Sequence, residues 1–196
     1  MITTNLTRPR GRPRRFDPES AVVTAQKLFQ ARGYDAVSVA DLTQALGINP
    51  PSFYAAFGSK AGLYARALCR YTSTEGVPIT EILRQGAPLA AALAQVLEEA
   101  ARRYGADPAA GGCLAIEGTR CSDPEAREAA LRLTEGAGIA LRDFIATTRP
   151  ELAECLADYV VTVMTGMSTM ARQGHDRDRL LVSARLAGEA IAQTLR

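Results

Sequence analysis

Residues 38–60 read SVADLTQALGINPPSFYAAFGSK, and this stretch decides the fold. Ser38 precedes an apolar pattern of helical period and has Asp41 three residues later, which is the spacing of a capping box. Gly47 ends that first short helix. Asn49 can cap a second one, whose first turn holds two prolines that cost no hydrogen bond there. The pattern predicts two short helices joined by a tight turn, a helix-turn-helix.

The segments on either side extend this unit. Upstream, Asp17 can cap a helix whose first residue is Pro18 and which ends at Gly33. Downstream, Ser59 can cap a helix that continues to about Tyr71. Apolar residues recur at helical spacing through all of these segments. We therefore expect residues 16–71 to form a helix-turn-helix DNA-binding domain with a three-helix head, whose last short helix enters the major groove of DNA.

Residues 72–196 have a different character but the same periodicity. Alanine- and leucine-rich segments of helical period alternate with glycine and proline breakers, and we find no convincing strand and no repeat. The fold class that we expect is all-α, with the N-terminal head followed by a larger C-terminal helical bundle.

The N-terminal arm, residues 1–15, is too polar to pack. Residues 7–15 contain five arginines, including Arg10, Arg12, Arg14 and Arg15. Residues 1–60 carry eight basic and four acidic side chains, whereas the rest carries fifteen basic and seventeen acidic ones. A basic head on a mildly acidic body indicates a polyanion partner at one end. The arm is predicted to be disordered, and it either orders in the minor groove, as the sequence around Gly11 suggests, or adds only non-specific attraction.

Several classes of protein are disfavoured. No apolar run approaches the ~20 residues of a membrane span, and no apolar segment follows the N-terminal arginines, so we expect a cytoplasmic protein without a membrane partner. Four cysteines without a C-x-x-C pair, and a single histidine, predict no metal site and no cofactor. The chain also lacks the phosphate-loop, zinc-protease and serine-hydrolase motifs, so an enzyme is not expected.

The pattern Phe53-Tyr54-x-x-Phe57-x-x-Lys60-x-x-Leu63 within residues 14–70 resembles the DNA-binding domain of TetR-type (TetR/AcrR) transcriptional regulators. The resemblance implies a DNA-binding role for the head, whereas the role of the arm arginines rests on their charge and on the sequence around Gly11. Ser38, Tyr54 and Lys60 match positions that contact phosphates. The positions that face base edges are Asn49, Pro50, Ser52, Ala55 and Ala56. Because the two alanines replace larger side chains of many relatives, direct reading of bases is expected to rest on few groups.

For residues 72–196, the resemblance implies a ligand-binding and dimerisation domain. The expected protein is a homodimeric repressor that leaves a palindromic double-stranded DNA operator when a small apolar effector binds between the central helices. The dimer is expected to form through the last two helices, with contacts from Leu152, Leu156, Val160, Leu180, Leu186 and Ile191. The candidates for lining the effector site are Leu97, Tyr104, Cys113, Ile116, Glu117, Arg120, Phe144, Tyr159, Val163 and Met167.

Two alternatives stay open at this point. A thiol at Cys113 or Cys121 could sense oxidants or electrophiles, because Arg120 directly precedes Cys121 and a neighbouring cation lowers a thiol pKa. The other alternative is an architectural DNA-binding protein without an effector. That protein would lack a cavity in its body, whereas a large apolar pocket would favour the ligand-responsive regulator.

Overall fold

A computed structural model describes residues 17–196, so the arm with Arg10, Arg12, Arg14 and Arg15 lies outside the described part of the chain. Between residues 17 and 196 the chain forms ten α-helices and one short 3-10 helix, with no strand. The predicted all-α class is confirmed. The α-helices are α1 Pro18–Arg32, α2 Val39–Leu46, α3 Pro50–Phe57, α4 Lys60–Thr74, α5 Ile79–Leu83, α6 Leu89–Tyr104, α7 Leu114–Gly118, α8 Pro124–Ala146, α9 Ala153–Arg172 and α10 Arg177–Thr194.

The head is built from α1, α2 and α3, and its caps are those that the sequence predicts. Asp17 accepts from two amides at the start of α1, Ser38 and Asp41 complete a capping box on α2, and Asn49 accepts from the Ser52 amide on α3. Gly47 ends α2 in the left-handed conformation, at φ 65°, which favours glycine. Each short helix is therefore closed at both ends by its own sequence.

Helix α4 joins the head to the body. It packs against α1 on one side and against α7 and α8 on the other. It continues to Thr74, beyond the boundary expected at residues 71/72, because the next strong helix breaker is Gly76. Tyr64 and Tyr71 are buried along it, so apolar packing runs without a gap from the head into the body.

The body, which holds α5 to α10, packs its helices around a continuous apolar core. Helix α6 lies in the centre against α9 and α10, and Leu93, Leu97 and Leu141 are fully buried there. Helix α10 approaches α6 closely at Gly188, where an added Cβ would lie 3.0 Å from the Cβ of Ala94. None of the helices between residues 17 and 196 is sufficiently long and apolar to span a bilayer.

Candidate functional site

Helix α3 presents a short, exposed face on the head. Phe53 and Phe57 are buried and anchor the helix on the head core. Asn49, Pro50, Ser52, Tyr54 and Ala55 are exposed, whereas Ala56 is half-buried. The Tyr54 side chain is 52% exposed although it is a large aromatic, and it rests edge-on against Phe53 with 5.4 Å between ring centroids. The exposed face therefore carries one phenol and few other hydrogen-bonding side chains.

Ser38 lies at the start of α2, exposed, but its hydroxyl is already engaged. It accepts from the Asp41 amide and donates to the Asp41 carboxylate at 2.5 Å. The Ser38 hydroxyl, the Ser38 amide, which also donates to the Asp41 carboxylate, and the nearby Arg32 lower the pKa of Asp41 to about 2. A phosphate contact from the Ser38 hydroxyl would have to displace the bond to Asp41, because a hydroxyl has a single hydrogen to donate.

Lys60 has structural contacts that the sequence analysis did not foresee, and its phosphate contact stays a prediction. Its ammonium donates to the carbonyl oxygens of Tyr34 and Val37 at 3.1 and 3.0 Å, and it lies over the Tyr34 ring. Two of its three hydrogens therefore hold the loop between α1 and α2. Sequence position alone cannot show this, since the partners lie 23 and 26 residues away.

A cavity of about 280 Å³ lies inside the body, between the end of α4 and helices α5, α7, α8 and α9. Among residues 17–196, no side chain that lines it is charged. Its walls are mainly aliphatic, and hydroxyl and thiol groups interrupt them. The lining residues are Tyr71, Thr72, Gly76, Val77, Ile79, Tyr104, Cys113, Ala115, Ile116, Thr119, Leu131, Leu133, Thr134, Ala137, Leu141, Val161, Met164 and Thr165.

Three of the ten residues expected at the effector site border this cavity, namely Tyr104, Cys113 and Ile116. The other seven do not border it. Leu97 and Met167 are buried elsewhere in the core, Phe144 and Val163 are half-buried, Tyr159 is exposed, and Glu117 and Arg120 form an ion pair at 3.1 Å.

The physical reason for the misplacement on α9 is helical rotation. Its cavity-lining residues are Val161, Met164 and Thr165, whereas Tyr159 and Val163 point away from them because each residue turns the helix by about 100°. No residue of α4 or α5 was expected at the cavity, and from α8 only Phe144 was, which does not border it. For α8, the apolar stripe at helical spacing through Ala137 and Leu141 was the available signal.

Cys113 lies at one end of the cavity beside two buried tyrosines. Its thiol borders the cavity together with Tyr71 and Tyr104, and burial is the main cause that raises the pKa of both phenols. The Cys113 amide donates to Ser168 Oγ at 2.9 Å. The preceding Gly112 has φ 90°, and a Cβ there would come within 2.9 Å of the Ser168 carbonyl oxygen. Close packing on α9 thus fixes the position of the thiol.

Cys121 lies away from the cavity and does not have the electrostatic environment that the sequence suggested. Burial, together with the carboxylates of Asp35 and Asp123, raises the pKa of its thiol. The neighbouring Arg120 is paired with Glu117 instead. The expected activation of Cys121 by Arg120 is therefore wrong.

The last two helices place most of the expected dimer residues inside the chain. Leu156, Val160, Leu180 and Ile191 are buried in a single protomer, and Leu152 is half-buried, so these five have little or no surface to offer a partner. Leu186 differs, with 61% of its surface exposed. The exposed large apolar side chains of α9 and α10 are Tyr159, Met170, Val182 and Leu186.

Comparisons with known proteins agree with this architecture. The family model described as "Bacterial regulatory proteins, tetR family" matches residues 22–67. The transcriptional repressor BdcR of Escherichia coli K12 is 48% identical over 195 residues, which is 100% of this chain and 99% of BdcR. The repressor ComR of the same organism is 29% identical over 187 residues, which covers 90% and 89% of the two chains.

A solved structure extends the likeness to three dimensions. It is a triple cysteine mutant of the TetR-family regulator CifR in complex with a 26-base-pair operator, which is 32% identical with a TM-score of 0.82 and covers 92% of this chain and 99% of CifR. The chain therefore belongs to the TetR family of bacterial regulators, which are DNA-binding transcription factors and not enzymes.

Proposed function

We propose that this protein is a homodimeric repressor that binds a palindromic operator through α3 and releases it when a small, uncharged, apolar molecule enters the body cavity. The observation that carries the proposal is the cavity itself, about 280 Å³ of space lined without a charged side chain. An architectural DNA-binding protein without an effector does not need a cavity of this kind.

The lining of the cavity supports an uncharged ligand. An ion would leave water for a wall of aliphatic side chains such as Val77, Ile79 and Leu141, with no opposite charge to compensate. An apolar molecule gains from the same transfer, and a hydroxyl or carbonyl group on it can reach the phenols of Tyr71 and Tyr104. The preferred effector is therefore apolar with at most a few uncharged polar groups.

The contacts of helix α7 support a structural connection between the cavity and the head. Cys113, Ala115, Ile116 and Thr119, on and beside it, line the cavity, and the carbonyl of Leu114 accepts from Tyr64 of α4 at 3.1 Å. A ligand changes operator affinity only if it binds one arrangement of the heads more tightly than the other. Contact with α7 gives the ligand a basis for that difference.

The exposed apolar residues of α9 and α10 support the dimer. Tyr159 and Met170 on α9, and Val182 and Leu186 on α10, lie on two helices that contact each other. On the same side of α9, Gly166 is exposed and small, which permits close approach of a partner. A second copy related by a two-fold axis would bury these residues and present two α3 helices about one turn of DNA apart.

Selection of bound DNA from a random library tests the DNA-binding part of the proposal. The purified wild-type protein is expected to enrich a palindrome with two half-sites at one fixed separation. A library that shows no enrichment, or that enriches a single half-site, would contradict the dimeric repressor.

An uncharged fluorescent probe, N-phenyl-1-naphthylamine, tests the cavity. Wild-type protein is expected to bind it saturably. Ala137→Phe, which places a ring in the cavity, is expected to lose that binding while keeping operator affinity. The control is Gly136→Ala, a neighbouring position with no atom within 4 Å of the new Cβ. Equal probe binding by all three proteins would show that the probe, and by extension an apolar effector, does not use this cavity.

A second candidate function, thiol sensing, now rests on Cys113 alone, because its sulfur borders the cavity beside two hydroxyl groups. The test uses N-ethylmaleimide, an uncharged electrophile, on protein in which the exposed Cys69 and Cys155 are replaced by serine. Modification of Cys113 but not Cys121 under native conditions, with release of the operator, would support this function. Mass spectrometry that finds both thiols unmodified until denaturant is added would rule it out.

A further inference from the structure

The head and the body meet through a cluster of four polar residues, which we name the latch. Tyr34 and Asp35 belong to the loop between α1 and α2, and Ser122 and Asp123 precede α8. The Tyr34 hydroxyl donates to Asp123 Oδ2 at 2.6 Å. The Asp35 carboxylate accepts from both the amide and the hydroxyl of Ser122, at 3.0 and 2.7 Å. The latch joins segments that lie 87 to 89 residues apart in the sequence.

On the head side, the latch loop is firmly held. Lys60 binds the carbonyls of Tyr34 and Val37, and the Tyr34 ring packs on Tyr64 with 4.8 Å between centroids. Ser38, which directly follows Val37, caps α2. The loop therefore moves as one piece with the helix-turn-helix.

On the body side, the latch is equally anchored. Asp123 caps α8, a helix of 23 residues, by accepting from the amides of Glu125 and Ala126. Arg127 donates to the carbonyl of Cys121 at 2.9 Å. The latch thus connects two rigid parts, and its hydrogen bonds hold the angle between them.

We propose that the latch sets the separation of half-sites that the protein accepts, with Tyr34, Asp35 and Ser122 as positioning residues. This inference rests on the proposed dimer. In a dimer each head is carried on its own body, so the angle at the latch determines the distance between the two α3 helices. One added base pair moves a half-site by about 3.4 Å along the duplex and rotates it about the axis, so a rigid head cannot follow it.

Latch variants are expected to loosen the head without detaching it. Arg172 donates to the carbonyl of Gln30 at 2.7 Å, and Tyr64 donates to the carbonyl of Leu114; both connections stay in place when the latch is opened. A head that pivots on these remaining contacts can reach half-sites at other separations. Specificity for spacing should then fall while contacts with each half-site persist.

The experiment measures affinity for the operator selected by the wild-type protein and for versions with one base pair removed or with one or two added between the half-sites. Tyr34→Phe/Ser122→Ala removes both side-chain donors of the latch without a change of charge, and Asp35→Ala removes one of its two carboxylates. Ser73→Ala is the uncharged control, and Glu19→Ala, an exposed acid on the same head, is the control for charge. Exchange of the Ser122 amide hydrogen, which faces Asp35, reports whether the latch has opened.

Wild type and both controls are expected to lose roughly tenfold or more in affinity for each base pair of altered spacing. The latch variants are expected to lose threefold or less, with faster exchange at Ser122. Latch variants that exchange faster yet keep the wild-type spacing profile would overturn the latch proposal alone. A wild-type protein with no spacing preference would overturn both the latch and the dimer.

If the double variant does not fold, Tyr34→Phe alone is expected to show an intermediate loss of spacing preference, and a wild-type profile in it would count against the latch.

Discussion

Lys60 and Tyr34 form a pair inside the head, where the lysine ammonium lies 3.9 Å from the centre of the tyrosine ring and 3.1 Å from the tyrosine carbonyl oxygen. A third contact, to the carbonyl of Val37, completes the arrangement. The cation thus closes the α1–α2 loop from the first residue of α4. These contacts give Lys60 a structural role that does not depend on DNA.

Lys60→Met is therefore predicted to destabilise the head. The substitution keeps an apolar stem but removes charged hydrogen bonds and a cation–π contact, which together contribute on the order of 2 kcal/mol at a half-buried site. Denaturant unfolding measures this loss. The dependence of operator affinity on salt should keep its slope. A stable variant whose slope falls by about 0.9 would instead assign Lys60 to a phosphate.

Local sequence predicts the head well because its signals are local. The caps at Asp17, Ser38 and Asn49, and the stop at Gly47, act within four residues and need no tertiary partner. The exposure of Tyr54 also follows from the helical period, which turns it about 100° away from the buried Phe53. Local sequence does not reveal the long-range partners of Lys60, the carbonyls of Tyr34 and Val37. These partners determine the structural role of the lysine.

Tyr54→Phe is predicted to weaken DNA binding without affecting the fold. The phenol is half exposed, so removal of its hydroxyl should change stability by no more than ~0.5 kcal/mol. A hydrogen bond to a phosphate contributes about 1.5–3 kcal/mol, and its loss should reduce affinity about tenfold or more. Titrations with operator and with random DNA measure this, and both should weaken equally because a phosphate contact reads no sequence. Tyr159→Phe serves as control, and a loss confined to the operator would indicate base reading instead.

Gly118→Ala is predicted to destabilise the junction between α4, α7 and α8. A Cβ at this position would clash with the Tyr64 phenol and lie 2.8 Å from the Cβ of Ala130. Overpacking of this kind costs about 1–3 kcal/mol. Gly136→Ala is the matched control, because its Cβ meets open space on α8 and should stabilise the helix by about 0.5–1 kcal/mol. Opposite shifts in the urea midpoint are expected, and equal shifts would contradict this packing.

The body shows where sequence periodicity stops being informative. A stripe of apolar residues marks a helix but does not say whether core, cavity or partner covers it. Val160 and Leu186 were both expected at the dimer surface, yet Val160 is fully buried and Leu186 is largely exposed. Tyr159 was expected in the cavity and lies on the outer face of α9. The orientation of each helix depends on contacts with several others, which the spacing within one helix does not contain.

Leu186→Glu is predicted to convert the proposed dimer into a monomer. The leucine is 61% exposed in one chain, so a carboxylate there should leave the protomer folded but would be costly to bury against a second copy. Ile139→Glu on α8, at a site 47% exposed, is the matched control and should stay dimeric. Light scattering after size-exclusion chromatography gives the masses. Operator affinity should fall about a hundredfold or more with the loss of the second head. A dimeric Leu186→Glu protein would move the interface elsewhere.

The bond between Tyr34 and Asp123 makes stability depend on pH. This hydrogen bond is the largest cause that lowers the pKa of Asp123 below 3.8. Because the folded state favours the carboxylate, the resulting stability is present above pH 3.8 and is lost as the pH falls through the lower folded pKa. Burial raises the pKa of Tyr34 and keeps it protonated as the donor throughout.

Tyr34→Phe should therefore unfold more easily than wild type at neutral pH, and the difference in unfolding free energy should shrink below pH 3.8. Denaturant titrations at several pH values measure that difference, with Tyr159→Phe as control. If the difference in unfolding free energy between wild type and Tyr34→Phe stays constant at acidic pH, the hydroxyl acts only through packing and not through the charge of Asp123.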